Sequence, residues 1–281
     1  MRCYWCHNPE GRLRLPQIQF FENKCIGCLE CIDACSNKAH LIRNKSHVYQ
    51  RDLCKNCGRC VDTCYSGALE IVGEEKTVDQ VMKEILSDSA YYKSSKGGVT
   101  LSGGEPAICG EFTREVLKRC QEKGIHTAIE TCGNYDWEKL ENLLPVIDLV
   151  MMDLKHMDAD KHLIATGQGN KKILINAQRL SQTNKAIIFR TPIVPTFNDT
   201  VQEISAIAQF VYNIIEMRNN NGIEESKQNP IQFELLPFHK LAADKYRSLG
   251  IEYKARDLEL LSKEKIDELK NVVEMCGVPI I

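Results

Sequence analysis

The sequence predicts an α/β fold in which parallel strands alternate with crossover helices, interrupted near its start by a cysteine-rich insert over 17–75. Three observations predict it. Strand-like and helix-like apolar patterns alternate from residue 77 to the end. Polar residues collect where the strands finish. Eight of the 14 cysteines fall in two runs of identical spacing.

Taken in order, Thr77 caps a helix with Val78, Val81, Met82, Ile85 and Leu86 on one face. Residues 98–101 read as a strand, and Phe112, Val116, Leu117 and Cys120 recur at helical spacing. Strands are predicted at 126–131, 147–154, 186–191 and 231–236. Helices are predicted at 137–144, 172–182, 201–218 and 263–276, with a polar loop over 219–230. Gly103, Gly104 and Glu105 follow the first strand, and Glu130 and Thr131 end the second. Asp153 and Lys155 end the third, Arg190 lies in the fourth, and His239 follows the fifth. Chemistry at successive strand ends is the pattern of a parallel barrel, whose C-terminal face holds the active site. Asp153 and Lys155, two apart in an extended strand, face one side.

The two cysteine runs are Cys25, Cys28, Cys31, Cys35 and Cys54, Cys57, Cys60, Cys64, each C-x2-C-x2-C-x3-C. This spacing holds two [4Fe–4S] clusters in bacterial-ferredoxin-type modules, the fourth cysteine of each run serving the other cluster. Cys25, Cys28, Cys31 and Cys64 then hold one cluster, and Cys54, Cys57, Cys60 and Cys35 the second. Paired C-x2-C also builds zinc sites, but two identical four-cysteine runs point to iron–sulfur. Ser36 and Tyr65 stand where proline usually follows the fourth cysteine. Cys109, Cys120 and Cys276 read as packing or free thiols, Cys132 beside Thr131 reads as packing with pocket lining as the alternative, and His7, His40, His47, His126, His156 and His162 show no ligand spacing.

The composition, 43% hydrophobic and 26% charged, suits a globular chain with a sizeable core. A net charge of −2 provides no basic field for nucleic acid or anionic membrane. The start, Met-Arg-Cys-Tyr-Trp-Cys, has no signal-peptide h-region, and no run of about 18 apolar residues occurs. With cysteines in ferredoxin spacing, this predicts a reducing cytoplasm.

Beyond composition, Cys3-Tyr4-Trp5-Cys6 resembles the end of the radical SAM motif, C-x3-C-x2-C. Further on come Ser102-Gly103-Gly104-Glu105-Pro106, Glu130-Thr131-Cys132-Gly133 and Asp153-Leu154-Lys155. Arg190-Thr191-Pro192-Ile193-Val194-Pro195 and Leu236-Pro237-Phe238-His239 complete the set. In this order, and with the two-cluster insert, the chain resembles glycyl-radical-enzyme activating enzymes related to pyruvate formate-lyase activase. The resemblance implies a partial open parallel (β/α) barrel over 1–16 and 76–281, lacking the first of six strands, with a ferredoxin-like α+β insert. It also implies a third motif cysteine four residues before Cys3, and with it the expectation that Met1 is not the native start.

The roles it implies are specific. Cys3 and Cys6 ligate a [4Fe–4S] cluster whose open iron chelates S-adenosylmethionine (SAM), with Trp5 beside the adenine. Gly103 and Gly104 let backbone approach SAM, Glu105 accepts from its ammonium, and Arg190 holds its carboxylate by a planar fork. Lys155 and His239 also reach SAM. Glu130, Thr131, Asp153 and the Met151 carbonyl correspond to a monovalent-cation site. The implied activity is that of an oxidoreductase: reductive cleavage of SAM to methionine and a 5′-deoxyadenosyl radical, which takes a Cα hydrogen from a glycine of a partner glycyl radical enzyme. The extra clusters relay electrons from an external flavodoxin or ferredoxin. Two alternatives stand beside this reading: a truncated relative serving only electron transfer, and a radical SAM enzyme acting on a small molecule.

Overall fold

Two antiparallel strand pairs frame the cysteine-rich segment in the computed structural model, which describes residues 1–44, 46–222 and 229–281. Strand β1 (Gln17–Phe20) opens the first pair, while β2 (His40–Arg43) pairs with β3 (Ser46–Tyr49). Strand β4 (Leu69–Val72) closes the first pair, with Ile18 opposite Ile71. Short helices Glu30–Ala34 and Arg59–Asp62 each begin inside a cysteine run. In both runs the same two positions are left-handed: Gly27 and Leu29 in the first, Asn56 and Gly58 in the second. Repeating this conformation, which costs a non-glycine residue roughly 1–2 kcal/mol, winds each backbone so that successive thiols converge. These elements belong to a unit of Trp5–Glu75 and Lys240–Asp257, so the expected insert, 17–75, lies inside it with the helix Ala243–Leu249. Arg51 ties that unit together, donating to the carbonyls of Ile18 and Ser248.

The other unit comprises Met1–Tyr4, Lys76–His239 and Leu258–Ile281. Its sheet has five parallel strands in sequence order: β5 (Gly98–Leu101), β6 (His126–Thr131), β7 (Leu149–Asp153), β8 (Ala186–Ile193) and β9 (Ile231–Pro237). The C-terminus adds one parallel bridge to β9, between Phe233 and Ile280. The α/β alternation expected from the sequence is therefore present, with local differences. Residues 137–144 form one turn, Glu138–Glu141, and Pro145, which has no N–H to donate, sits in a separate 3-10 turn, Leu144–Val146. The strand expected at 147–154 is shorter at both ends. Helices Ser89–Ser95 and Ala159–Thr166 lie outside the elements expected from the sequence. The second of these is capped by Asp158, whose carboxylate accepts from Asp160 and Lys161 N–H. The long helix runs Val201–Asn220, so Asn219 and Asn220 are helical, and the rest of the expected loop falls largely on 223–228, outside the described residues.

Burial alternates along β7 and β8. One face, including Val150, Met152, Ile187 and Phe189, is packed against Ile204, Ile207, Val211 and Leu180 of the covering helices. The opposite face is only half-buried, and Met151, Asp153, Ile188 and Arg190 stand on it. At the N-terminal ends of β8 and β9 Arg218, 1% exposed, donates to the carbonyls of Ser181, Thr183, Lys185 and Asn229. The guanidinium thus satisfies four backbone acceptors that the turns leave without ladder partners.

His162 is buried, with Nδ1 2.6 Å from the Gln168 carbonyl and Nε2 without a hydrogen-bond partner among the described residues. Nδ1 therefore donates, and protonating Nε2 would bury an unpaired charge. Burial accordingly lowers the His162 pKa from 6.5. A base whose folded pKa is depressed stabilises the fold above its unfolded pKa, and that stability is lost as pH falls below it. Thermal unfolding at stepped pH should show Tm falling below about pH 6.5, with a shallower slope in His162→Asn. Equal slopes in the two proteins would assign the loss elsewhere.

Candidate active site and cluster pockets

The half-buried face of the sheet gathers charge by register. Glu130 lies opposite Met151, Asp153 opposite Arg190, and Arg190 opposite Glu234. Residues paired in register project to the same face, so these side chains are neighbours. Arg190 Nη1 donates to Glu130 Oε1 at 2.8 Å, and Arg190 Nε lies 3.5 Å from Glu234 Oε2. Burial works against the guanidinium charge, but the hydrogen bond and charge of Glu130 outweigh it and raise its pKa. Its buried Nε has no hydrogen-bond partner among the described residues and only the ion pair with Glu234.

Lys155, 6% exposed, pairs with Asp153 Oδ2 at 2.5 Å. Desolvation opposes its charge, yet the Asp153 carboxylate beside it holds its pKa above the ordinary lysine value. The backbone around it is latched by Asn198, fully buried, which accepts from Val194 N–H and donates to the carbonyls of Lys155 and Pro192. This fixes the loop after β7 to the one after β8.

Glu105 occupies the end of β5. Its Oε1 accepts from the Thr131 hydroxyl at 2.8 Å and from Ala107 N–H at 3.4 Å, and its Oε2 accepts from Cys132 N–H at 2.9 Å. The Tyr135 hydroxyl is 2.9 Å from Thr131 Oγ1, which also accepts from Gly133 N–H. With its one proton committed to the carboxylate, Thr131 accepts from Tyr135. Burial first, then the Glu105 charge, pushes the Cys132 thiol up to about 12, which keeps it protonated. Gly133 cannot be substituted simply, because φ is +68° and a Cβ would collide with the Met152 side chain. Gly103, at φ +108° and exposed, supplies a second left-handed position beside Glu105, and Gly104 is exposed next to it.

Among the remaining expected residues, Cys3 and Trp5 are buried, Cys6 is half-buried, and His239 is exposed beyond the end of β9. Glu130 and Asp153 are occupied by Arg190 and Lys155, so a monovalent cation there would have to displace them. Sequence reasoning missed Glu234, Asn198 and Tyr135. Glu234 had a signal in its alternation with buried Phe233 and Leu235, whereas Asn198 and Tyr135 lie in connections with no periodicity.

The eight insert cysteines line two pockets. One, about 340 Å³ including its open mouth, is lined by Cys25, Cys28, Cys31 and Cys64; the other, about 280 Å³, by Cys35, Cys54, Cys57 and Cys60. Each pocket therefore takes three thiols from one run and the fourth from the other. Burial, followed by the neighbouring thiols, pushes Cys31 and Cys60 up to about 11. Such crowding of thiols disfavours thiolates unless cations balance their charge, and the donor set fits soft metal centres.

A model of the radical SAM superfamily matches residues 1–211. The chain belongs to the radical SAM superfamily. It is 34% identical over 265 residues to the (2S)-3-sulfopropanediol dehydratase activating enzyme of Klebsiella oxytoca, covering 92% of this chain and 80% of that relative. It is 36% identical over 286 residues to the 4-hydroxyphenylacetate decarboxylase activating enzyme of Clostridioides difficile, covering 99% and 86%. A crystal structure of a domain of pyruvate-formate lyase-activating enzyme from Bacteroides vulgatus superimposes with TM-score 0.51 at 25% identity, covering 66% of this chain and 98% of that one. This radical SAM chain is thus an oxidoreductase of the glycyl-radical-enzyme activating group. Its superfamily implies a [4Fe–4S] cluster and SAM. No helix among the described residues is long and apolar enough to cross a membrane.

Proposed function

We propose that this chain activates a partner glycyl radical enzyme by using SAM, with Cys3 and Cys6 as cluster thiolates and the C-terminal ends of β5–β8 as the SAM cradle. One observation carries the assignment of the cradle. Four carboxylates (Glu105, Glu130, Asp153 and Glu234) stand against two cations, Lys155 and Arg190, on the strands β6–β9 and in the connections after β5 and β7. The two uncompensated negative charges favour a cationic ligand with an ammonium and a sulfonium. Glu105 uses three of the roughly four lone-pair positions of a carboxylate, and the fourth suits an ammonium N–H. The Arg190 Nε, which makes no hydrogen bond among the described residues and only an ion pair with Glu234, suits the ligand's carboxylate, while Lys155 holds Asp153 in place. Trp5 and His239 are further SAM contacts in this proposal. When bound, the cluster and SAM supply the radical chemistry that takes hydrogen from the partner's glycine.

The proposal extends to a partial open barrel and a ferredoxin-like insert whose pockets hold two further [4Fe–4S] clusters. These pass electrons inward from a flavodoxin- or ferredoxin-class donor. Protein isolated anaerobically from the cells that make it, then reduced, should release 5′-deoxyadenosine from SAM and raise a glycyl radical signal in its partner. SAM binding without either product would overturn the activation reading.

The crossed cysteine sets make a separate prediction. Cys64→Ala combined with Cys25→Ala should lose about four irons in total, because both serve one cluster. Cys64→Ala combined with Cys60→Ala should lose about eight. Iron analysis giving the reverse pairing would show that each run is self-contained.

A further inference from the structure

Between the two cysteine pockets lies a pair of imidazoles that no sequence motif suggested. His40, on β2, lines the pocket of Cys35, Cys54, Cys57 and Cys60; His47, on β3, lines the pocket of Cys25, Cys28, Cys31 and Cys64. His40 Nδ1 is 2.9 Å from His47 Nε2, a hydrogen bond across the two walls. His47 also faces two thiols of its own pocket, with Nδ1 3.9 Å from Cys25 Sγ and Nε2 3.5 Å from Cys31 Sγ. Stacking fixes both rings. Tyr49 lies on His40 at 4.8 Å between centroids, and Phe20 meets His47 edge-on at 4.7 Å. His40 is 2% exposed, and its Nε2 has no hydrogen-bond partner among the described residues.

Proton counting gives this pair a direction. A neutral imidazole has one N–H, and a thiolate only accepts. If His47 donated from Nε2 to His40, the proton of His40 would sit on its buried, unpartnered Nε2, which is costly. If His40 donates from Nδ1, its Nε2 keeps only a lone pair, and His47 Nε2 accepts, so the 3.5 Å approach of that nitrogen to Cys31 is a contact without a hydrogen bond. The His47 proton then stands on Nδ1, facing Cys25. The favoured arrangement is a two-step chain, His40 to His47 to Cys25.

We propose that His47 is a positioning and tuning residue for the cluster held by Cys25, Cys28, Cys31 and Cys64, donating to the Cys25 thiolate in a tautomer set by His40. This rests on the proposed two-cluster reading of the insert. An N–H···S bond draws charge from a thiolate ligand and favours the reduced cluster, so it raises the potential. The pair thus couples the walls of both pockets while acting electronically on one.

The test is an EPR-monitored redox titration of the full chain, with iron analysis on each sample. In His47→Leu, one couple should shift about tenfold toward the oxidised form, which is 59 mV for one electron, while the others stay. His47→Gln, which retains an N–H donor, should recover most of that shift. His40→Leu should move the same couple by a smaller factor. Exchangeable-proton ENDOR should lose one strongly coupled proton in His47→Leu. The same iron content with every couple unmoved in His47→Leu would overturn the tuning role, as would a shift that His47→Gln fails to recover. Zinc in place of iron, lost in both leucine variants, would overturn it as well. Absence of the insert's roughly eight irons from the unaltered protein would overturn the cluster reading itself.

Discussion

Replacing Arg218 with methionine should destabilise the unit containing the parallel sheet by about 4 kcal/mol, while leaving a correctly folded remnant able to bind SAM at low temperature. Methionine retains much of the aliphatic stem's packing, so the effect isolates the guanidinium. That group donates to four carbonyls, Ser181, Thr183 and Lys185 before β8 and Asn229 before β9. Each buried acceptor left without a donor costs about 1–3 kcal/mol, reduced by whatever water can enter. Arg218→Lys should rescue only part, because an ammonium cannot span four carbonyls in the plane of a guanidinium fork. Chemical denaturation of the three proteins gives the comparison. A loss below about 1 kcal/mol in Arg218→Met would mean the turns find other donors. Arg218 closes the N-terminal ends of the strands, the face of a parallel α/β unit where side chains serve stability.

At the opposite ends, Glu105→Gln should weaken SAM binding about 10- to 100-fold and lower Tm by a few degrees, since Cys132 N–H loses its acceptor. The estimate is the worth of one charge-assisted hydrogen bond, about 1.5–3 kcal/mol. The amide oxygen still accepts from Thr131 and Ala107, which keeps the β5 end attached to β6. Its NH2 meets Cys132 N–H, where the carboxylate had accepted, and offers nothing to an ammonium. Equilibrium binding of SAM to reconstituted protein reads the effect directly. Thr131→Ser, which preserves the hydroxyl and the charge, should bind within about threefold of the original. Unchanged affinity in Glu105→Gln would remove Glu105 from the ligand's ammonium and leave it as the cap of the Pro106–Cys109 turn.

These two residues differ in how visible they were beforehand. Glu105 stands in Ser102-Gly103-Gly104-Glu105-Pro106, one of the ordered motifs that carry the family resemblance. Arg218 sits near the end of a long amphipathic helix and reads there as a solvated terminal charge. Its burial follows from the turns that fold over it, and no local pattern encodes them.

The same division runs through the whole chain. By itself the sequence determined the alternation of strand and helix, since periods of two and 3.6 are local properties of the backbone. It also determined the grouping of eight cysteines, because a shared loop geometry demands a shared spacing, the placement of Glu105, Asp153 and Lys155 at or just beyond strand ends, and that of Arg190 within a strand. Only the tertiary structure decided the rest. Parallel register set Arg190 between Asp153 and Glu234. The β2–β3 pairing joined His40 to His47, with Ile42 rather than His40 opposite His47. Asn198 found its three partners only after two loops had met. Contacts of this kind depend on how far each element is displaced along its neighbour, a quantity set by the packing of the entire sheet and hairpin rather than by any residue's neighbours in the chain.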